Sequence, residues 1–115
     1  MILNLTQHAG TPEQGVKEPS DKKAVQELLT FSALPTSAEI RSRAEKLAAI
    51  AVAEGAEAAM IGGAPYLMGP LENALRASGV RPLYAYSVRQ SVEKTDGNGN
   101  VVKLNVFRHV GFVEA

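Results

Sequence analysis

Hydrophobic and polar positions change their rhythm several times along the chain, and each change marks an element. Ile2 to Thr6 alternates apolar and polar, which suits a first strand entering a sheet. Gln7-His8-Ala9-Gly10 then reads as a loop. Thr11-Pro12-Glu13-Gln14 is a helix start, with Thr as N-cap, Pro at the first helical position and Gln three residues after the cap. Gly15 and Pro19 keep that helix short or irregular. Ser20 and Asp21 open a second helical segment that carries Ala24, Val25, Leu28 and Leu29 on one stripe, with Phe31 and Leu34 closing it before Pro35. Thr36 and Glu39 form another capping box. Ile40, Ala44, Leu47, Ala48 and Ala51 follow at helical spacing, while Arg41, Arg43, Glu45 and Lys46 face outward and Gly55 caps the end.

The stretch from Glu57 to Arg89 organises the rest. A short apolar run, Ala58 to Ile61, stops at Gly62-Gly63. Pro65 follows, then an amphipathic segment with Leu67, Met68, Leu71, Ala74 and Leu75 on one face, then Gly79, then a second apolar run from Pro82 to Val88. That is strand, turn, helix, strand: one βαβ unit. Gly69-Pro70 is a potential break between a single turn and a longer helix. Beyond Val88 the chain stays extended to Lys94, and Asp96-Gly97 and Asn98-Gly99 separate it from a β-rich run, Val101 to Val113, which predicts a hairpin with a long return strand. Together these elements predict a single α/β domain over residues 1–115. It is a small three-layer Rossmann-like sandwich, with parallel core strands extended by a C-terminal antiparallel β-hairpin.

Composition narrows the function classes. At 115 residues one domain is expected. Twelve basic and twelve acidic side chains cancel, so duplex nucleic acid is not an expected partner. The absence of cysteine removes disulfides and thiolate metal sites. Two histidines and scattered carboxylates show no ligand spacing, so neither a metal nor another cofactor is expected. MILNLTQH lacks the features of a signal peptide and no run approaches a membrane span, which predicts a cytoplasmic protein without a membrane partner. No nucleophile elbow of the G-x-S-x-G kind is present.

In βαβ units ligands sit beyond the carboxyl ends of the strands, where helix N-termini point free N–H groups. Gly62 and Gly63 occupy that position and would let a phosphate or ribose approach the backbone, although a tight turn alone would also use them. The pattern is neither G-x-G-x-x-G nor a P-loop. Thr6, Gln7 and His8 end the neighbouring strand and would face the same crevice, with His8 suited to general acid chemistry. Ser87, Arg89 and Ser91 lie on alternate positions, hence on one face, at and beyond the end of the third strand. Arg89 suits phosphate through its planar fork, and the face is expected to converge with Gly62 and Thr6. Tyr66 could stack on a base or fill the core. Arg108 and His109 fit a salt bridge or core-edge position better than a functional role.

Thr-Gln-His followed by Thr-Pro-Glu-Gln, Ile-Gly-Gly-Ala-Pro-Tyr-Leu, Ala-Tyr-Ser-Val-Arg-Gln-Ser-Val-Glu and the closing Val-Phe-Arg-His-Val-Gly-Phe-Val-Glu together resemble the small CRISPR-associated Rossmann-fold proteins. More narrowly they resemble compact members regarded as ring nucleases or sensors for cyclic oligoadenylates, and similar sequences look at home in phage and prophage genomes. The resemblance covers most of Ile2 to Glu114 apart from Val16 to Glu54. It implies a symmetric homodimer whose crevices join across the two-fold axis into one site for a cyclic oligonucleotide. It also implies metal-independent ring opening by a ribose 2′-OH. In that scheme Arg89 and the N–H groups near Gly63 hold phosphate, and Thr6, Gln7, His8 and Ser87 align the ribose or move protons. Tyr66 and Ser91 complete the expected ligand contacts, with His8 and Ser87 the catalytic candidates. The alternative, from a different class, is a non-catalytic phage or host protein-interaction module on an α/β scaffold.

Overall fold

The structure, a computed structural model, describes residues 1–115. Four strands and three helices follow in the order β1 (Ile2–Leu5), a 3-10 turn (Pro12–Gln14), α1 (Lys22–Leu29), α2 (Ser37–Ala53), β2 (Ala58–Ile61), α3 (Pro65–Ala77), β3 (Arg81–Thr95) and β4 (Val101–Glu114). They form one mixed sheet in the order β1-β2-β3-β4. The first three strands are parallel, and β3–β4 is antiparallel from Leu83↔Glu114 to Thr95↔Val101. This is the small α/β sandwich that the hydrophobic pattern predicts.

Local chemistry accounts for the helix boundaries. Thr11 N–H donates to Gln14 Oε1 at 3.0 Å, and Gly15 with φ 64° ends the turn after three residues. Asp21 caps α1 by accepting from Ala24 N–H at 3.0 Å. The Thr36 hydroxyl accepts from Glu39 N–H at 3.1 Å to start α2, but the Glu39 carboxylate takes Arg43 instead of closing the box. Gly69-Pro70 does not divide α3, which runs unbroken from Pro65 to Ala77. Pro70 forfeits only the bond to the Tyr66 carbonyl, in a first turn that lies at the surface and can be hydrated.

Each strand is added beside its predecessor, so right-handed crossovers place all three helices on one face of the sheet. Leu3 and Leu5 of β1 and Ala59 and Ile61 of β2 point to that face and join Val25, Leu29, Leu47, Leu67, Leu71 and Leu75 in one core cluster. Burying each such leucine contributes about 1.5–3 kcal/mol. Ile2, Asn4, Ala58, Met60 and Leu83 point the other way. The segment between β1 and α1 runs beside and beneath them: Lys17 bridges to the free edge of β1 at Leu3, Asn4 meets Glu18, and the 3-10 turn reaches β4 across the sheet. The third layer is therefore loop and turn rather than helix.

Past Leu83 the third strand leaves β2 behind and continues with β4 alone as a two-stranded ribbon, interrupted by a bulge at Tyr86/Ser87. The molecule is 57 Å in its longest dimension and 24 Å in its shortest. No helix is long and apolar enough to cross a membrane.

Candidate functional site

The largest crevice, about 740 Å³, opens at the carboxyl ends of β1 and β2. Thr6, Gln7 and His8 leave β1 on one side, Gly62, Gly63 and Ala64 link β2 to α3, Leu29 to Phe31 close α1 above, and Tyr84 and Ala85 of β3 form the far wall. Thr6, Gln7, His8, Gly62, Gly63 and Tyr66, all candidates from the sequence, thus line one cavity.

The β1 end of this crevice is built around Asn4, the one buried polar side chain not belonging to a proline or apolar residue. Its Oδ1 accepts from Thr6 N–H at 2.9 Å and from the Thr6 hydroxyl at 2.6 Å. Its Nδ2 donates to the His8 carbonyl at 2.7 Å and to Glu18 Oε1 and Oε2 at 3.1 and 3.0 Å. Gly10 N–H also donates to Glu18. Burial pushes the Glu18 carboxyl up, but the hydrogen bonds from Asn4, Gly10 and Lys22 and the Lys22 charge outweigh it, and the group sits below the usual carboxylate range. The Lys22 ammonium donates to the carbonyls of Thr6 and His8 at 2.7 and 3.2 Å while pairing with Glu18. The loop carrying His8 is held by this network and not by packing, because His8 itself is exposed.

The opposite wall is aromatic. Phe31 and Tyr66 meet edge to face, ring centroids 5.2 Å apart, and the Arg43 guanidinium lies over the other side of Phe31 at 4.2 Å. Arg43 also donates to the carbonyls of Glu27, Leu28 and Thr30, so it closes the C-terminus of α1 and fixes the aromatic wall together. Gln7 Nε2 reaches Thr30 Oγ1 at 3.1 Å and ties β1 to the same helix end. Tyr84 donates to Glu72 at 2.6 Å. Burial, reinforced by that hydrogen bond and the Glu72 charge, pushes its phenol up to about 12, so it stays protonated and is no base near neutral pH.

Several donors remain for a ligand. The N–H groups of Gln7, His8, Ala9, Gly62, Gly63, Ala64 and Tyr66 donate to no other group of the chain. Gly63, at φ 151°, holds a backbone that side chains rarely adopt, and a Cβ at Gly62 would come within 3.6 Å of Thr6 Cγ2. Both nearby cations, Lys22 and Arg43, are already engaged with carbonyls and carboxylates. The crevice therefore offers an aromatic wall, a polar rim of backbone donors and the His8 imidazole, with no free cation of its own.

Ser87, Arg89 and Ser91 do not join this crevice. They share one face, as alternation requires, but that face belongs to the ribbon beyond the body: Ser87 pairs with His109, Arg89 with Phe107 and Ser91 with Asn105. β2 pairs with β3 only as far as Leu83, so these residues lie past the point where the sheet reaches Gly62. The Arg89 guanidinium rests over its neighbour Phe107 at 5.5 Å. His8 and Ser87 are accordingly not a catalytic pair within one subunit. His109 packs against Phe112 with ring centroids 4.9 Å apart and its Nδ1 buried and unpaired. Sequence reasoning missed Asn4, Phe31 and Arg43. Asn4 occupies the polar slot of an alternating strand, and Arg43 the polar face of a helix, and neither position signals burial.

Residues 1–113 match the Uncharacterized protein MJ1673 family, and the chain belongs to that family. Comparison with curated proteins gave no match. Comparison with solved structures gave none either.

Proposed function

We propose that this protein binds a nucleotide-class ligand, of the cyclic oligonucleotide kind, at the carboxyl ends of β1 and β2, as a homodimer. The observation that carries the reading is the crevice that gathers Thr6, Gln7, His8, Gly62, Gly63 and Tyr66. An exposed tyrosine on an aromatic wall suits a base, and the free N–H groups of the β2–α3 turn suit phosphate oxygens. Because Arg89 stands outside its own subunit's crevice, phosphate contacts in this reading fall to the backbone. Ring opening would use the ligand's own 2′-oxygen, which bonds to the adjacent phosphorus as the P–O5′ bond breaks, leaving a 2′,3′-cyclic phosphate and a 5′-hydroxyl that takes its proton through His8. A second reading, a protein-interaction module, is favoured by one observation: the projecting ribbon carries exposed Val102, Leu104, Val106 and Phe107.

The test is a thermal-shift screen against cyclic di-, tri-, tetra- and hexanucleotides, with linear mononucleotides as controls and product analysis of any hit. A ligand at about 100 times its dissociation constant adds roughly 2.7 kcal/mol of stability. One ring size should shift the transition, Tyr66→Ala should weaken the shift, and a linear product would add enzymatic turnover. The absence of a shift with every ring size refutes the reading.

A further inference from the structure

The β3–β4 ribbon has two unlike faces. Beyond the bulge, Ser87, Arg89, Ser91, Glu93 and Thr95 alternate with Val88, Gln90, Val92 and Lys94, and in-register pairing carries the division across to β4. One face is mainly polar, with Glu93 opposite Lys103, and its two apolar residues stand apart: Phe107 beside Arg89, and Val101 at the tip. The other presents Val88, Val92, Val102, Leu104 and Val106 as an apolar strip broken only by Gln90 opposite Val106, with Lys94 towards the tip and Arg108 towards the base. The extra residue of the bulge sits on β4, so β3 alternates without a break. The strip therefore continues from Tyr84 and Tyr86, on the helix side of the sheet. From Ser87 to Arg108 no residue is buried.

We propose that this apolar strip is a self-association surface, packed face to face about a two-fold axis against the same strip of a second copy. A two-stranded ribbon is marginal in water, and nine further residue pairs, Ser87↔His109 to Thr95↔Val101, need an apolar cover to persist. The accessible surface of 7087 Å² exceeds the roughly 6,000 Å² of a compact monomer of this mass. That excess, on the order of 1,000 Å², is about what one partner gives to a standard interface of about 800 Å² a side. The radius of gyration, 17.0 Å, is likewise above the 13 Å or so of a compact chain of this length.

The uncharged middle calls for an apolar surface opposite it, and the same strip of a second copy supplies one of matching length. The strip carries cations only at its two ends, so two-fold packing sets valine and leucine on their like in the middle and leaves Lys94 and Arg108 reaching water. A nucleic acid would leave the uncharged middle without a contact. The inference shares with the proposed function only the expectation of a homodimer, and it does not depend on the ligand.

Sedimentation velocity over a micromolar concentration series, with circular dichroism as the folding control, tests it. The wild-type chain should sediment as a dimer, Leu104→Glu as a folded monomer, and Phe107→Glu, on the opposite face, as a dimer. A wild-type monomer throughout, or a dimer that survives Leu104→Glu, overturns the proposal. Should Leu104→Glu not fold, the cysteine-free chain permits single-cysteine probes with a short bis-maleimide, matched to the roughly 10 Å between facing sheets. Leu104→Cys should cross-link and Phe107→Cys should not; equal behaviour of the two overturns the proposal. A dimer without a cyclic-nucleotide shift refutes only the ligand, and a shift shown by a monomer refutes only this interface.

Discussion

Replacing Asn4 by aspartate changes one nitrogen to oxygen and nothing in shape, yet it should be among the most damaging conservative changes available to this chain. The Oδ1 contacts to Thr6 survive. The lost Nδ2 faces the His8 carbonyl at 2.7 Å and both oxygens of Glu18 at 3.0 and 3.1 Å, so a donor becomes a carboxylate against acceptors. Losing a hydrogen bond to a charged group costs about 1.5–3 kcal/mol. Two unit charges about 3 Å apart repel by about 5 kcal/mol at an effective dielectric of 20, which solvent screening at a Glu18 side chain 42% exposed cuts to roughly 2. Protonation sets a ceiling: holding one carboxyl protonated at pH 7 against an ordinary value near 4.3 costs about 4 kcal/mol. A loss of about 4 kcal/mol at pH 7 follows, or roughly 15 °C in Tm. The carboxyl pair then binds a proton in the folded state that the unfolded chain does not hold. Its stability therefore rises as pH falls from the raised folded value towards the unfolded ones. In the wild type Glu18 is held low, so its contribution is present above the unfolded value and is lost as pH falls through the folded one. The gap between the two proteins should thus narrow as pH falls below that raised value, by at most about 1.4 kcal/mol per pH unit. Urea and thermal unfolding of both at pH 7, 6 and 5 measure it. A Tm deficit under about 3 °C at pH 7, or a deficit that stays constant down to pH 5, refutes the role given to Asn4.

Gly62→Ala should be tolerated, because its Cβ meets Thr6 Cγ2 at an ordinary 3.6 Å, whereas Gly63→Ala is strained at φ 151° and should cost about 1–3 kcal/mol; equal midpoints in urea would refute the distinction. Arg43→Lys should lose about 1–3 kcal/mol despite keeping the charge, since one ammonium cannot bond three carbonyls and also cover Phe31, and unchanged stability or unshifted Tyr66 ring resonances would count against it. The N–H groups of Asn100 and Asn98 hold Asp96 below the usual carboxylate range, so its contribution to the hairpin turn is present above the unfolded value and lost as pH falls through the folded one. Amide resonances of Asn98 and Asn100 should titrate with a midpoint under the 3.8 of a free aspartate, and a midpoint at or above it would exclude the turn.

What could be read in advance is whatever has a local cause. Asp21 and Thr36 cap helices because their side chains reach an N–H three residues away, and Asp96-Gly97 turns because the same chemistry works across a few residues. The position of the crevice residues has a related reason: a strand, a glycine pair and a helix in succession place Gly62 and Gly63 at a strand end whatever the rest does. Sheet order is not a local property. Nothing in the spacing of apolar residues says that both crossovers fall on one side, leaving Asn4 under a loop that brings Glu18 to it from fourteen residues away. The same limit explains Arg89. Alternation put Ser87, Arg89 and Ser91 on one face correctly, but where that face lies depends on how far β2 keeps pace with β3, and it stops at Leu83. Four residues further on, at about 3.3 Å per residue, Ser87 is roughly 13 Å past the last β2 pairing. The pattern that predicted a hairpin also contained its exposure: a strand that alternates apolar and polar beyond the end of its neighbours has an apolar face and no layer of its own chain to set against it.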